Sequence, residues 1–369
     1  MKKTKLKKYR GSFIRLGISV FLLLTAGLLW LLIKSKPKAF FPAYRNVSRT
    51  VMKAVSAVTG LVPFSIWDVG AAVLALGAVV FLAVVIVRRR GFLTWLTSVI
   101  LILSLLASFA ADGWLLNHYA PKLASEIGLE VRKYTEEELY LATKYYMDRA
   151  AEYAPLQARD RSGSLVRQDF KSIAKKAGKS YEEPGKQWKI FRNASGAPVK
   201  KLSVTGGFYL KRGIAGIFMP LTAESSVPEL DAVADLPYTM AHECAHRLGI
   251  ASEEEANFAA YLACDCSDDP YFLYSGYYSA YIFCRNKLAK ADSSWSKKLN
   301  EAAVGEGYEL LFQDVRESAA WYKNFEKEKA VKKMETVNDN YLKTFSQEEG
   351  VKSYGEVVND LIAWYLLKE

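Results

Sequence analysis

The chain has 369 residues, four cysteines and only three histidines, and its formal net charge at pH 7 is +11. The basic excess lies at the front, because residues 1–113 hold 16 Lys and Arg against two acidic side chains, whereas residues 114–369 hold 34 against 37. Since this charge flanks apolar runs and forms no patch of interleaved basic and aromatic residues, we expect no nucleic acid partner.

Three uncharged apolar stretches of 18 to 21 residues predict three transmembrane helices and make the lipid bilayer a partner. They cover residues 16–33, 69–87 and 91–111. The first could also be a cleaved signal peptide, because a basic leader precedes it. Lysines rather than a small-residue cleavage site follow it, which favours a retained anchor. Residues 1–113 are therefore predicted to form a membrane anchor.

The basic residues also predict how the anchor is oriented. Six of the first ten residues are Lys or Arg, and Arg88, Arg89 and Arg90 separate the second and third apolar stretches. The positive-inside rule places both segments in the cytoplasm, so we predict a multi-pass protein of the cell membrane with residues 114–369 outside the cytoplasm. The loop 34–64 is also basic and is predicted to be an amphipathic segment on the membrane.

Residues 114–200 are predicted to form a juxtamembrane region with helical and irregular parts. Thr135 and Glu138 have the spacing of a capping box, which predicts a helix that runs to about Ala154. The stretch 160–195 is rich in Lys, Gly and Ser and is predicted to be largely irregular. The positions of the four cysteines argue against a disulfide framework, so we expect small buried thiols.

Residues 206–225 combine glycine with β-branched and aromatic residues, which predicts one or two β-strands. Two uses of such a strand remain open. Its free edge can pair with an extended peptide substrate, or the strand is a buried structural element.

The most specific motif reads HECAH and occupies residues 242–246. His242 and His246 are four residues apart, so on a helix their imidazoles project from one face and can bind a single Zn²⁺. Glu243 between them reaches the water that the metal activates and can accept its proton. This combination is typical of zinc metallopeptidases.

A catalytic zinc site needs a third protein ligand and one open position for water. Ser252 stands where a third histidine would follow the motif, and His118 adjoins the third apolar stretch, where we expect it at the membrane interface. A carboxylate is the open alternative, because three consecutive glutamates follow the histidine helix. The residues alone leave Glu253 and Glu255 as candidates.

The segment EEEANFAA, which begins at residue 253, resembles the helix that supplies the glutamate ligand in gluzincin-type metallopeptidases. The resemblance implies that Glu253 is the third metal ligand and that Asn257 hydrogen-bonds a histidine ligand from the second layer of residues. Glu255 is then expected to complete a capping box with Ser252, and Glu254 to face solvent.

Several longer segments carry a second resemblance. They are TGLVPFS at 59–65, GIFMPLT at 216–222, LPYTMA at 236–241, EEEANFAAYLAC at 253–264, DDPYFLYSGY at 268–277 and GVKSY at 350–354. Over nearly its whole length the chain resembles a bacterial family of three-pass membrane proteins, domain of unknown function 3810, in the gluzincin-like HExxH zinc metallopeptidase superfamily. The resemblance implies an anchor followed by a zincin-like domain, and it implies no substrate.

An oxyanion at the scissile carbonyl also needs a hydrogen-bond donor, which in such enzymes is usually a His or a Tyr. Tyr354 and Tyr277 are therefore candidate catalytic residues, and Tyr274 and Tyr278 are further candidates. The tyrosines of residues 271–281 fall at helical spacing, so core packing is the alternative. Tyr354 stands at the head of the predicted last helix and has the same alternative.

The predicted fold is α+β and mostly α, with three transmembrane helices, a small β-sheet and a zincin-like catalytic core in residues 201–369. The predicted function is a membrane-anchored metallopeptidase that uses Zn²⁺ as cofactor and cleaves a peptide or protein substrate, with Glu243 as base. The alternative is a non-catalytic membrane sensor or assembly factor with a structural zinc site. Glu243 favours the enzyme, because a structural site does not need a base.

Overall fold

The computed structural model describes residues 2–88, 91–229, 232–291, 293–304, 307–344 and 357–369. The contacts within the chain define two compact units. The first comprises Met1–Ala120 and Met219–Glu224, and the second comprises Pro121–Phe218 and Ser225–Glu369. The division predicted at residues 113 and 200 stays a prediction.

The first unit is built from helices. They are α1 (Lys2–Ser35), α2 (Pro37–Thr59), α3 (Ile66–Val87) and α4 (Phe92–Gly113), followed by a 3₁₀ turn at Leu115–Tyr119. Three segments are long and apolar enough to cross a membrane: Tyr9–Ser35, Ile66–Val87 and Phe92–Tyr119. The prediction of three apolar spans is thus confirmed. These three candidate spans indicate a multi-pass membrane protein.

Helix α2 occupies the basic loop between the first two spans and buries one face. Its buried residues recur every three or four positions and are Phe41, Tyr44, Ser48, Met52, Ser56 and Thr59. The Ser48 hydroxyl donates to the backbone oxygen of Gly113 at 2.6 Å and so connects α2 to the end of α4. Small hydroxyl residues on this face allow the helices to approach closely.

The second unit is also mostly helical. Its first five helices are α5 (Leu123–Ile127), α6 (Glu136–Tyr153), α7 (Phe170–Gly178), α8 (Pro184–Gln187) and α9 (Gly206–Leu210). The motif helices are α10 (Leu236–Arg247) and α11 (Glu253–Asp265). They are followed by α12 (Pro270–Ala291), α13 (Ser293–Ala302), α14 (Glu309–Phe325), α15 (Glu328–Thr344) and α16 (Val357–Lys368).

A three-stranded sheet completes the fold. Its strands are β1 (Lys200–Leu202), β2 (Ile217–Met219) and β3 (Glu224–Pro228), in the order β1-β3-β2. Strands β1 and β3 are parallel, with Lys200 opposite Ser226. Helices therefore dominate and the sheet is small, as the α+β, mostly α prediction requires.

The prediction of strands throughout residues 206–225 is wrong in its first part. This part forms helix α9, whose backbone is satisfied locally, with the Tyr209 amide donating to the oxygen of Thr205 at 3.1 Å. Gly206 packs against Pro228, since a Cβ at Gly206 would lie 3.3 Å from the Cβ of Pro228. Gly206, one of the glycines on which the strand prediction relied, thus allows a close contact of α9 instead.

The core of the second unit forms where α6 and α11 pack on α12. The predicted capping box at the start of α6 is present, because the Glu138 amide donates to the Thr135 hydroxyl at 3.2 Å and the Thr135 amide donates to the Glu138 carboxylate at 2.8 Å. Gly276 allows α11 to approach α12, since a Cβ there would lie 2.5 Å from the Cβ of Cys264. This close crossing fixes α11, which carries Glu253.

The four cysteines are free thiols, as expected, and three of them are fully buried. The last helix, α16, buries one apolar side, which includes Val357, Val358, Leu361 and Ile362.

Candidate metal centre

Helix α10 presents both histidines of the motif on one face. The helix begins with Pro237 in its first turn, where the missing N–H costs no hydrogen bond, and it is followed by Gly249 in the left-handed conformation, with φ of 80°. The imidazole rings of His242 and His246 are perpendicular, with their centroids 4.7 Å apart. Their Nε2 atoms are separated by 3.1 Å and therefore face the same point.

Glu253 brings a carboxylate to that point from the first residue of α11. Its Oε2 lies 3.2 Å from the Nε2 of His242, and its Oε1 lies 3.7 Å from the Nε2 of His246. One ligand atom of each of the three side chains lies within 4.8 Å of the others, so the group could hold a metal ion. Among the residues that the structure describes, this is the only such group of three or more.

The hydrogen bonds of the histidines set which nitrogen can bind a metal. The Nδ1 of His246 lies 2.8 Å from the carbonyl oxygen of Ile250 and donates to it, which leaves a lone pair on Nε2. The Nδ1 of His242 is buried and has no hydrogen-bond partner in the described part of the chain. Both Nε2 atoms nevertheless converge on Glu253, as metal binding requires.

The electrostatics of the group favour a cation. Although burial lowers the pKa of His246, the adjacent charge of Glu253 outweighs it and raises this pKa to about 9. Burial likewise works against ionisation of Glu253, but the two histidines hold its pKa well below the ordinary value. The negative charge of Glu253 thus stabilises positive charge at the neighbouring imidazoles. A divalent cation at the same point would compete with protons for these nitrogens.

Glu243 lies beside the three converging side chains and is 4% exposed. Burial raises the pKa of its carboxyl to about 7. Its Oε2 has no hydrogen-bond partner among the described residues. A carboxyl whose pKa is near neutrality and whose oxygen is free is suited to accept and return a proton.

Two residues from the sheet region hold Glu243 in place. A Cβ built on Gly216 would lie 2.4 Å from Oε1 and 2.7 Å from Cγ of Glu243, so only glycine leaves room for this side chain. The hydroxyl of Ser225, on β3, donates to the backbone oxygen of Glu243 at 2.7 Å. Neither contact is visible in the sequence, because both partners come from distant positions along the chain.

The expected role of Asn257 is not what the structure has. Its side-chain oxygen lies 3.1 Å from the hydroxyl of Tyr238, which also donates to the Asn257 backbone oxygen at 2.9 Å, and no contact with a histidine is found in the described residues. Tyr238 precedes His242 by one helical turn, and Asn257 follows Glu253 by one turn. The pair therefore connects the two helices that carry the metal-binding group.

The other two glutamates of the triplet also differ from expectation. Glu254 does not face solvent: it is 3% exposed and forms an ion pair with Lys122. Glu255 does not complete a capping box, since Ser252 makes no side-chain cap and the Glu255 carboxylate accepts from the Leu123 amide at 3.2 Å. Both carboxylates bind the start of α5, which the sequence pattern did not reveal.

The tyrosine candidates lie elsewhere. The hydroxyl of Tyr277 donates to Asp265 at 2.6 Å, and its ring stacks on Tyr153, so it belongs to the core and is not brought to the histidines. Tyr274 donates to Asp314, and its ring packs on that of Tyr278, as the core alternative expects. Tyr354 lies outside the described residues.

Comparison with known proteins identifies one family to which the chain is similar. The family model described as "Protein of unknown function (DUF3810)" matches residues 44–362. No curated protein and no solved structure matches the chain.

Proposed function

We propose that this chain, which belongs to the family described as protein of unknown function DUF3810, is a membrane-anchored zinc-dependent metallopeptidase. The observation that carries the proposal is a pair of features at one place. His242, His246 and Glu253 converge within 4.8 Å, and the buried carboxylate of Glu243 lies beside them with one oxygen unpartnered in the described residues. Metal-dependent hydrolysis requires a set of metal ligands and a neighbouring general base, and these residues can provide both.

Zinc fits the donor set and its spacing. Ligand distances of about 2.0 to 2.2 Å in a tetrahedral site require ligand atoms on the order of 3.4 Å apart. The separations in the structure, 3.1, 3.2 and 3.7 Å, lie on both sides of this value. Two imidazoles and one carboxylate suit Zn²⁺, and the same donors accept Mn²⁺ or Co²⁺.

The number of ligands supports catalysis over a structural role. Structural zinc sites are closed by four protein ligands, whereas catalytic sites keep one position for water or substrate. The described residues contribute three ligands to this site. The non-catalytic sensor or assembly factor, our alternative, would need a fourth protein ligand and has no use for Glu243.

The residues of the chain divide the work as follows. Zinc, when bound, would polarise the scissile carbonyl and make the attacking water more acidic. Glu243 accepts the proton of that water at its free carboxylate oxygen and delivers it to the leaving amine nitrogen. The hydrogen bond from the Nδ1 of His246 to the Ile250 oxygen orients this imidazole to bind the metal through Nε2. Gly216 keeps the space that the carboxylate of Glu243 needs.

The position of the third ligand supports a gluzincin-type site. Glu253 is the first residue of the helix that follows the motif helix, and it is this glutamate of the triplet that faces the two histidines. The hydrogen bond from an Asn to a histidine, which the gluzincin resemblance implies, is absent from the described contacts of Asn257. The proposal therefore relies on the three ligands and does not assign an oxyanion donor.

The location of the second unit is part of the proposal. Three apolar helices and a basic N-terminal segment support, under the positive-inside rule, our proposal that the region after the third helix lies outside the cytoplasm. A peptide or protein substrate would then be met on that side of the cell membrane.

The proposal is tested with the full-length protein purified in detergent and loaded with zinc. It is incubated with a complex peptide library, and new termini are identified by mass spectrometry. We expect cleavages that a chelator abolishes and that the Glu243→Gln variant does not produce, although this variant retains its metal. Identical peptide profiles for the zinc-loaded wild type and Glu243→Gln would contradict the proposed activity.

A further inference from the structure

Glu224 stands out as a buried carboxylate at the start of a candidate membrane span. The residue is 2% exposed, and its two oxygens accept from the Ile66 and Trp67 amides, each at 2.9 Å. The Ser65 hydroxyl lies 3.3 Å from the same carboxylate. All of these donors belong to the first turn of α3 or its cap. Glu224 therefore caps the positive end of this helix.

This cap is unusually complete. Ser65 itself accepts from the Asp68 amide at 3.1 Å, so the amides of Ile66, Trp67 and Asp68 all have acceptors. An amide without a hydrogen-bond acceptor has a high free-energy cost at the border of an apolar environment. The contacts with the amides of α3 therefore stabilise the Glu224 carboxylate in this position.

A second hydrogen bond holds the same segment. The Thr59 hydroxyl, at the end of α2, donates to the backbone oxygen of Thr222 at 3.0 Å. Residues Met219–Glu224 thus belong by their contacts to the first unit, together with the apolar helices. We call this segment the capping loop.

The chain on both sides of the capping loop contacts the proposed base. Ser225 follows Glu224 directly, is fully buried and donates to the Glu243 backbone oxygen. Gly216 lies three residues before Met219 and faces the Glu243 carboxylate. Strand β2, which links Gly216 to the capping loop, is only three residues long. Because so few residues separate the capping loop from Gly216 and Ser225, a displacement of the loop is expected to move these two residues and with them Glu243.

We propose that Glu224 is a positioning residue: by capping α3 it fixes the capping loop, and through Gly216 and Ser225 it fixes the catalytic carboxylate of Glu243. This inference rests on the proposed peptidase function. A change at the start of α3 would consequently be transmitted to Glu243.

The test compares Glu224→Ala and Glu224→Gln with the wild type, all as full-length protein in detergent. Glu137→Ala, at an exposed carboxylate of α6, is the matched control. Hydrogen exchange is measured on peptides that cover residues 60–70 and 214–227, and kcat and KM are measured on a substrate found with the peptide library. Zinc content is determined for each variant.

We expect Glu224→Ala to exchange faster in both peptides and to lose on the order of 10- to 100-fold in kcat, with KM and zinc content little changed. Glu224→Gln, whose amide oxygen still accepts one hydrogen bond, should recover part of both losses. Faster exchange confined to residues 60–70, with unchanged kcat, would overturn the proposal and leave a simple helix cap.

The exchange data also separate this inference from the proposed function. If the wild type cleaves no peptide, the peptidase proposal fails, yet exchange in residues 214–227 still reports whether Glu224 holds the strands beside Glu243. If Glu224→Ala is too unstable to purify, Glu224→Gln answers the same question with a milder change.

Discussion

Gly216 and Glu243 are in direct steric contact: a methyl group on Gly216 would lie 2.4 Å from Oε1, 2.7 Å from Cγ and 2.8 Å from Cδ of Glu243. Real carbon atoms do not approach so closely, so any larger residue must displace the carboxylate or the strand. The contact connects the proposed base to the sheet.

The first prediction concerns this contact. Gly216→Ala should lower kcat by about 10- to 100-fold, because the new methyl group displaces the carboxylate that moves the proton. Zinc content should stay close to that of the wild type, since the three nearest atoms to the methyl group all belong to Glu243. Gly207→Ala is the control, because a Cβ there meets nothing within 4 Å. Equal kcat in both variants would contradict the steric role.

The second prediction concerns the contact between the two motif helices. Tyr238→Phe removes the hydroxyl that binds Asn257 and should cost about 1 kcal/mol of unfolding free energy. It should also weaken zinc affinity about fivefold, because the helices that carry His242 and Glu253 lose a shared hydrogen bond.

A matched control exists for this variant. Tyr146→Phe removes a buried hydrogen bond from the Tyr146 hydroxyl to the Leu361 oxygen, at 2.7 Å, between α6 and α16. It should reduce thermal stability by a similar amount and leave zinc affinity unchanged. Competition with a chromogenic chelator measures the affinity, and equal weakening in both variants would show that the effect is a general loss of stability.

The third prediction is a pH dependence of stability. Burial raises the pKa of Asp235 from 3.8 to about 6, against the hydrogen bond that Tyr322 donates to it at 2.8 Å. Since the folded pKa lies above the unfolded one, the stability associated with this group is fully present below about pH 4 and is lost as the pH rises through about 6. The loss is on the order of 3 kcal/mol, since each pKa unit corresponds to about 1.4 kcal/mol.

Asp235→Asn should remove this dependence. The variant should unfold at a higher temperature than the wild type at pH 7.5 and at a similar temperature at pH 4, as measured by differential scanning fluorimetry of the full-length protein. Asp268→Asn, at an exposed position, is the control. A constant difference between Asp235→Asn and the wild type across this pH range would contradict the assignment.

The fourth prediction concerns the cysteines. All four are free, and burial raises the pKa of the Cys266 thiol, the most accessible of them, to about 11. Alkylation of the native protein at pH 7.5 should therefore be slow, whereas alkylation after denaturation should modify all four without a reductant. Mass spectrometry counts the modified thiols. A denatured sample that reacts fully only after reduction would indicate a disulfide.

Local patterns predicted the parts of the site that depend on helix geometry. The spacing of His242 and His246 is a property of one helical turn, and the glycine that ends their helix is visible from the sequence. Glu253 follows after a short turn, so its approach to the histidines could be anticipated from the gluzincin resemblance. The capping box of Thr135 and Glu138 is equally local, and it was correctly predicted.

Contacts between distant segments account for the errors. Glu254 was predicted to face solvent, but it forms an ion pair with Lys122. Glu255 was predicted to cap its own helix, but its carboxylate accepts a hydrogen bond from the Leu123 amide at the start of α5. Asn257 was assigned to a histidine, but Tyr238 occupies its side-chain oxygen. In each case a partner from another segment, which no spacing pattern reveals, replaced the contact that the local rule predicted.

The same reason explains what was not anticipated at all. Gly216 and Ser225 contact Glu243 only because the sheet brings residues of separate elements to α10. The tyrosines of α12 follow a helical period, which correctly suggested core packing, and Tyr277 has Asp265 as its partner. The spacing of tyrosines along α12 could therefore not identify the donor of a hydrogen bond to the oxyanion.

The central claim is a metal site formed by His242, His246 and Glu253. It is tested most directly by elemental analysis of the full-length protein, purified in detergent and equilibrated with zinc. We predict about one zinc per chain in the wild type, in Glu243→Gln and in Glu255→Gln, and loss of zinc in Glu253→Gln. A folded wild type without zinc, or a Glu253→Gln variant that retains it as firmly as Glu255→Gln does, would contradict the account.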